Sequence, residues 1–349
     1  MTLASLLLAA ALGQTPDAGW VSPLDELHWQ PQVDLFAEYQ WQQAAGAAAF
    51  NAFNVPRAQL GVEAEWRGVI ARVLFEGVYS TQGGALIGTA GDSVVARLRE
   101  AWGGYQWRFL EARAGMVPTL TVPALEKAWG LRAVAPDGLE SRQLMPPADL
   151  GGWVKATLPR RLGWLGVAVT NGEGYTQREL DARKTVELAL LVHPVPAWQK
   201  LAALVAYQNG TTGTASLRAD RFGGGLWWDG PRLGLGANAF WLAGFSDDGG
   251  RRGVLVQVYA RAMLFERLLL GVRAHWLDRD LAGTANNSIV DVTGSVGVRI
   301  AEPLELFAVL HRALPSALAR NAVPGSDLTE LRLTLRVRWP RSNTTEEPP

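Results

Sequence analysis

The chain has 349 residues, 48% of them hydrophobic, and its 33 basic side chains balance 33 acidic ones. That apolar content excludes a disordered chain, and the neutral balance gives no electrostatic footprint for a nucleic-acid partner. Cysteine is absent, so an exported fold would have to close its backbone hydrogen bonds without disulfides.

Met1 to Gln14 run apolar and end in small residues, as a signal peptide does, although no basic residue precedes the run. Residues 1–19 therefore read as a signal peptide cleaved near Gly13 or a few residues later. Residues 20–31 read as a periplasmic segment, 32–339 as the folded body and 340–349 as a polar C-terminal tail. Past the signal there is no run of about eighteen apolar residues, the least that a membrane-spanning helix needs. A membrane could be crossed only by strands.

From Gln32 onward the hydrophobic period is two, which is the period of a strand. Val33, Leu35, Ala37, Tyr39 and Trp41 share one face, with Asp34, Glu38, Gln40 and Gln42 on the other, and only Phe36 breaks the alternation. Such segments recur at 32–42, 55–67, 69–80, 95–106, 108–118, 150–159, 163–171, 184–193, 201–209, 221–229, 232–242, 253–265, 268–278, 288–300, 304–314 and 328–339. Most are near the ten or so residues that a tilted strand needs to cross a bilayer. The segment at 95–106 is irregular because Glu100 shares a phase with Leu98 and Trp102, which points to a bulge.

The joints alternate. Short ones at Arg67-Gly68, Trp107, Arg160 to Leu162, Pro194 to Lys200, Gly230-Pro231, Glu266-Arg267 and Ala301 to Pro303 take turns with long, polar or glycine-rich ones. Short turns on one rim and long loops on the other predict an all-β fold, a transmembrane antiparallel up-and-down β-barrel of about sixteen strands in the bacterial outer membrane. Its lipid-facing rows would include Val254, Val256 and Val258, then Leu268, Leu270 and Val272, then Leu331, Leu333 and Leu335. Trp41, Trp66, Tyr79, Trp241, Trp276 and Trp339 fall near strand ends on that face, where an aromatic girdle meets the headgroups. The lipid bilayer is thus an expected partner. Trp339 also suits the terminal aromatic that barrel-assembly machinery reads.

The opposite face carries Arg57, Arg72, Arg113, Arg261, Arg273, Arg299, Arg332, Arg336 and Arg338, expected to line a pore as solvated wall residues. Asp34, Glu38 and Glu305 are placed to pair with the Arg332, Arg336 and Arg338 row. The longest loop, 119–149, mixes Glu126, Lys127, Arg132 and Arg142 with apolar residues, as a segment folded into the lumen to form its constriction would. The expected activity is passive diffusion of small hydrophilic solutes with a weak preference for anions.

Gly115-Met116-Val117-Pro118, Val122-Pro123-Ala124-Leu125-Glu126, Asp149-Leu150-Gly151 and Val169-Thr170-Asn171-Gly172 resemble the phosphate-selective porin O and P family. The resemblance implies a sixteen-stranded, homotrimeric porin that passes small anions. That family combines an arginine ladder with a lysine cluster, whereas the lysines here are Lys127, Lys155, Lys184 and Lys200. Phosphate is therefore one candidate among small anions.

Catalytic chemistry finds little footing. His28, His193, His275 and His311 stand far apart in strand order and lack metal-ligand spacing, and there is no Gly-x-Ser-x-Gly elbow. Gly223-Gly224-Gly225 lacks the Lys-Ser or Lys-Thr of a phosphate loop and reads as a site of close strand packing. No enzyme activity, cofactor or metal is expected. A barrel acting as an adhesin, scaffold or assembly factor is the rival to a channel, ahead of a barrel enzyme.

Overall fold

The structure, a computed structural model, describes residues 26–80, 93–177, 181–195, 198–245, 248–283, 287–322 and 327–339. The expected signal peptide, most of the segment 20–31, the tail 340–349 and the side chain of Tyr79 lie outside the described residues.

Sixteen strands close into one antiparallel barrel. In chain order they are β1 (His28–Ala44), β2 (Phe50–Trp66), β3 (Val69–Ser80), β4 (Ser93–Trp107), β5 (Leu110–Pro118), β6 (Ala148–Thr157), β7 (Gly163–Thr170), β8 (Thr185–Val192) and β9 (Leu201–Asn209). After a small separate hairpin, β10 (Thr211–Thr212) and β11 (Leu217–Arg218), the wall continues with β12 (Asp220–Asp229), β13 (Leu233–Phe245), β14 (Asp248–Leu264), β15 (Leu268–Asp278), β16 (Ser288–Ala301), β17 (Leu304–Pro315) and β18 (Leu328–Trp339). Each wall strand pairs with its neighbours in sequence. β1 joins β18 in register from Val33↔Trp339 to Ala44↔Leu328. Closure removes the unpaired edges that a sheet would otherwise expose, which matters most where no water can satisfy them.

Alternation then sorts the side chains. Val256, Val258, Val272, Leu331 and Leu333 are exposed on the outside, while Leu255, Gln257, Arg273 and Arg336 are buried inside. Trp66, Trp241, Trp276 and Trp339 are exposed on the outer face as well. So continuous an apolar belt is what the outer face of a membrane-spanning barrel presents. Among the described residues no helix is long and apolar enough to cross a membrane; the spanning elements are strands.

Three local features depart from or refine the sequence reading. β1 begins at His28, inside the segment expected to lie outside the barrel, because β2 is long enough to pair with it down to His28↔Glu65. β2 itself starts at Phe50 rather than near 55 and carries the β1–β2 hairpin outward to Gln42↔Phe50. The irregularity near Glu100 is a bulge: Leu74 pairs with Glu100 and Phe75 with Leu98, so Arg99 is the extra residue and turns inward beside Glu100. The glycine run in β12 is a close approach, since a Cβ on Gly224 would stand 2.0 Å from the Leu204 carbonyl oxygen.

The interior differs more from expectation. The connection between β5 and β6 folds into the barrel, with a helix at Thr121–Trp129 and a shorter one at Gly138–Ser141. Val122, Trp129, Val134 and Leu139 on it are fully buried, forming one hydrophobic cluster with the inward Phe240, Leu255 and Phe307 of the wall. The wall charges are therefore not all solvated: Glu76 and Asp291 are 2% exposed, Arg273 3% and Arg336 5%. The loop shuts water away from much of the wall, and charges shut away from water need partners.

Candidate pore and its inward loop

The loop is fastened to the wall by polar groups at each bend. Where β5 ends, the backbone N–H groups of Leu120 and Thr121 donate to the Glu187 carboxylate of β8 at 3.0 and 2.8 Å. These are N–H groups that a helix start leaves unpaired, and Leu120 at the N-cap offers no side-chain cap, so a wall carboxylate takes that place. The helix stops at Gly130, whose φ of 71° is left-handed, a conformation that glycine adopts at little cost. Its C-terminal Trp129 donates from Nε1 to the Ala135 carbonyl at 2.9 Å, which curls the following turn.

Beyond the turn, Arg332 of β18 donates to the Val134 carbonyl at 2.6 Å, and Arg273 of β15 reaches the carbonyl of Pro136. Gln257 of β14 makes two bonds: Nε2 donates to Asp137 at 2.7 Å, and Oε1 accepts from the Gly138 N–H at 2.9 Å. Asp137 in turn caps the short helix by accepting from the Leu139 N–H. Arg57 of β2 pairs with Glu140 at 3.6 Å, Arg142 pairs with Asp291 of β16, and Arg221 of β12 donates to the Leu144 carbonyl at 3.1 Å. The anchors thus follow the wall from β8 round to β18 and across the closure to β2. Among the described residues, the arc from β3 to β7 carries none of them.

Charge is concentrated where the loop meets β2. Arg132 pairs with Glu126 at 2.9 Å and also with Glu140, and Arg57 bridges Glu140 to Glu76 at 3.7 Å. Glu76 further takes Arg97 at 2.9 Å, Arg99 at 3.1 Å and the hydroxyl of Tyr175 at 2.7 Å. Four arginines thus meet three carboxylates. On the loop, burial pushes the carboxyls of Glu126 and Asp137 up. Burial acts the same way on Glu140, but Arg132, with Arg99 and Arg57, outweighs it and holds this carboxyl below its usual range.

A second chain of polar groups joins the loop to the closing strands. His275 approaches Asp291 at 2.5 Å and accepts from Arg142 at 3.1 Å, while His311 lies between Asp291 at 3.1 Å and Glu330 at 3.2 Å. The histidines expected to stand apart are thus brought together in part, because β15, β16 and β17 are adjacent and His275 pairs directly with Asp291. No group of this kind among the described residues has the arrangement to hold a metal ion.

The nine wall arginines fall into distinct settings. Arg57, Arg273 and Arg332 hold the loop as described. Arg72 lies between Glu63 at 3.6 Å and Glu100 at 3.5 Å, Arg299 pairs with Glu305 at 3.4 Å, and Arg261 pairs with Asp229. Arg336 forks onto Asp34 at 2.9 and 3.1 Å, and Arg332 lies 3.6 Å from Glu38 and 3.3 Å from Glu330. Two members of the basic row are thereby matched by acids, whereas Arg338 makes no ion pair among the described residues. Arg113 stands between two indoles, 3.8 Å from the Trp102 ring and 4.8 Å from that of Trp153, and shares Glu111 with Lys155. Of the four loop residues, Glu126, Arg132 and Arg142 are tied in, and Lys127 is exposed.

Sequence reasoning passed over Arg97, Arg99, Tyr175, Arg221 and Gln257. The bulge at Arg99 hides the first two, since it makes the phase of β4 unreadable by alternation. Phe36, the break in the first strand, turns inward with Arg57 5.8 Å and Arg336 5.4 Å from its ring.

No protein-family model matches the chain, and no curated protein matches its sequence. Solved structures do match in fold. OmpF of Salmonella typhi, solved in complex with daunomycin, superposes with a TM-score of 0.67 at 12% identity, over 90% of this chain and 98% of that one. The outer membrane channel DcaP of Acinetobacter baumannii gives 0.64 at 10% identity with the same coverage. An anion-selective porin from Comamonas acidovorans gives 0.62 at 13%, over 90% of this chain and all of that one. The fold shared with these structures and the apolar belt agree: the chain is an outer-membrane β-barrel with the porin fold.

Proposed function

We propose that the protein is a porin, a passive channel for small hydrophilic solutes with a weak preference for anions, phosphate among them. The observation that carries this reading is the inward loop: hydrogen bonds and ion pairs fasten it along the wall from β8 to β2, while among the described residues the β3–β7 arc meets it only through apolar side chains such as Trp102 and Trp153. That arc is the natural path for solute. It presents the half-buried Arg97, Arg113 and Lys155, and there Arg113 and Lys155 share the single carboxylate of Glu111. The small excess of guanidinium over carboxylate beside Glu76 adds to the same sign.

In this reading Arg57, Arg72, Arg113, Arg261, Arg273, Arg299, Arg332, Arg336 and Arg338 shape the field of the lumen, and Glu126, Lys127, Arg132 and Arg142 belong to its constriction. Arginine suits the task because it stays charged at any working pH and forks onto oxyanions. The field is screened within about 8 Å at physiological salt, so selectivity stays weak. A homotrimer is the assembly proposed. It rests on the fold, a trimer form of OmpT from Vibrio cholerae being among the similar structures.

Conductance of the purified protein in planar bilayers tests the reading, and reversal potentials in a potassium chloride gradient give the sign. Deleting Ala124 to Leu144 should raise the conductance of a barrel that remains heat-modifiable. A folded barrel that conducts no ions would remove the channel reading.

A further inference from the structure

The rim that carries the short turns has chemistry that the turns themselves do not require. Arg67, Arg108, Arg160 and Arg161 occupy left-handed backbone positions, with φ of 50°, 52°, 56° and 57°. Glycine, asparagine and aspartate fit such positions most readily, and an L side chain of any other kind is strained there. A turn selected only for its shape and its solubility would use those residues. Among the described residues of this rim, four of the six non-glycine left-handed positions hold arginine, Phe265 and Glu266 being the other two, and all four arginine side chains are exposed.

The remaining short turns repeat the charge. Lys200, Arg232 and Arg267 are exposed in three of them. Against these basic groups, the described residues of the short connections hold only Glu266 and Glu302 as acids, and Glu26 on the incoming chain pairs with Arg67.

Aromatic rings are interleaved with the cations. Trp107 and Phe109 flank Arg108, Trp198 precedes Lys200, Trp228 precedes Arg232, and Phe265, 90% exposed, precedes Arg267. The guanidinium of Arg67 lies 5.5 Å from the Trp66 ring and that of Arg108 lies 5.2 Å from the Trp107 ring. Rings of this kind settle at the level of lipid headgroups and so fix the depth of the barrel. The arginines and the lysine one to four residues beyond them are then held at the level of the phosphates. A guanidinium stacked on an indole face keeps its N–H edge free to fork onto phosphate oxygens.

We propose that this rim is a collar that binds the phosphate headgroups of anionic phospholipids in the adjoining leaflet. Charge complementarity selects this occupant, and the belt and its rings set the distance. The proposal needs the barrel to sit in a bilayer and does not depend on conduction.

The test uses the full-length barrel in nanodiscs of phosphatidylcholine containing a minority of phosphatidylglycerol. After extraction in mild detergent, the lipids retained by the protein are counted by native mass spectrometry. A basic group at a membrane surface favours an anionic lipid by about 5-fold, so the wild-type barrel should retain phosphatidylglycerol at about that enrichment over its share of the disc. The enrichment should fall as salt is raised. In the combined variant Arg108→Gln, Arg160→Gln, Arg161→Gln, Arg232→Gln and Arg267→Gln it should fall to within about 2-fold of the bulk share. The matching arginine-to-lysine variant should keep most of it, and heat-modifiable migration shows which variants are folded.

No enrichment on the wild-type barrel would overturn the proposal, whatever the variants do. Equal enrichment on a folded glutamine variant would overturn it too. If soluble inorganic phosphate displaced the lipid at the ionic strength where chloride did not, the site would be one for free phosphate and the lipid collar would be wrong.

Discussion

Replacing Glu187 by alanine should loosen the inward loop without opening the barrel. Glu187 is buried in β8, and its carboxylate accepts the two backbone N–H groups at the start of the Thr121–Trp129 helix. No side chain of the loop caps that helix start. Hydrogen bonds to a charged group are worth about 1.5–3 kcal/mol each, so two would give about 3–6 kcal/mol. The carboxylate also bears a burial penalty that alanine removes, and water can enter the space left behind, which lowers the expected net loss to about 2–4 kcal/mol. At about 1.4 kcal/mol per tenfold, the undocked loop should become roughly 30 to 700 times more populated. Hydrogen exchange of the peptide spanning 119–130 reads that population directly when the opening is local. Exchange there should speed up by at least tenfold in Glu187→Ala, with the β13–β16 strands unchanged. Glu187→Gln, which keeps one acceptor oxygen, should fall between. Unchanged exchange of the helix in Glu187→Ala would mean that its apolar face alone, through Val122, Leu125 and Trp129, holds the loop, and the capping argument would fail.

Two further outcomes follow from the charge pairs. Because Arg332 and Arg336 are ion-paired with Glu38, Glu330 and Asp34 while Arg338 makes no ion pair among the described residues, Arg338→Gln alone should produce most of the cation-ward change in reversal potential seen when all three are replaced; a single variant indistinguishable from wild type beside a large triple effect would refute this. Against the effect of burial, Glu140 is held below its ordinary value of 4.5 by Arg132 together with Arg99 and Arg57, so its contribution to loop docking is complete above that pH and is lost as the pH falls through the lower folded value. The docking difference between wild type and Glu140→Gln, about 2 kcal/mol at neutral pH, should therefore close on acidification. A difference in the exchange of residues 131–144 that stays constant from neutral to strongly acid solution would show that the Glu140 charge contributes nothing.

Strand number, rim parity and the apolar outer face were legible in the amino-acid sequence because each is a local property. A side chain on a strand alternates faces whatever its partners are, and a chain that must leave lipid dry on one side writes that requirement into every second residue. The bulge in β4 announced itself in the same way, as the broken phase at Glu100. The inward loop could be suspected from its length and mixed composition. Its anchors could not, because they join residues far apart in the chain: Glu187 to Leu120, Gln257 to Gly138, Arg57 to Glu140.

The largest misreading, that wall charges would be solvated, has the same origin. Sequence assigns a side chain to the inner face, but whether water reaches it depends on what else fills the barrel. Arg273 and Arg338 are alike as inward arginines on neighbouring parts of one wall. Only closure of the sheet and folding of the loop make the first a buried tie to a loop carbonyl and leave the second across from Asp34 without an ion pair, Asp34 being taken by Arg336. Alternation along a strand decides the face, and contacts between distant segments decide the dielectric and the partner.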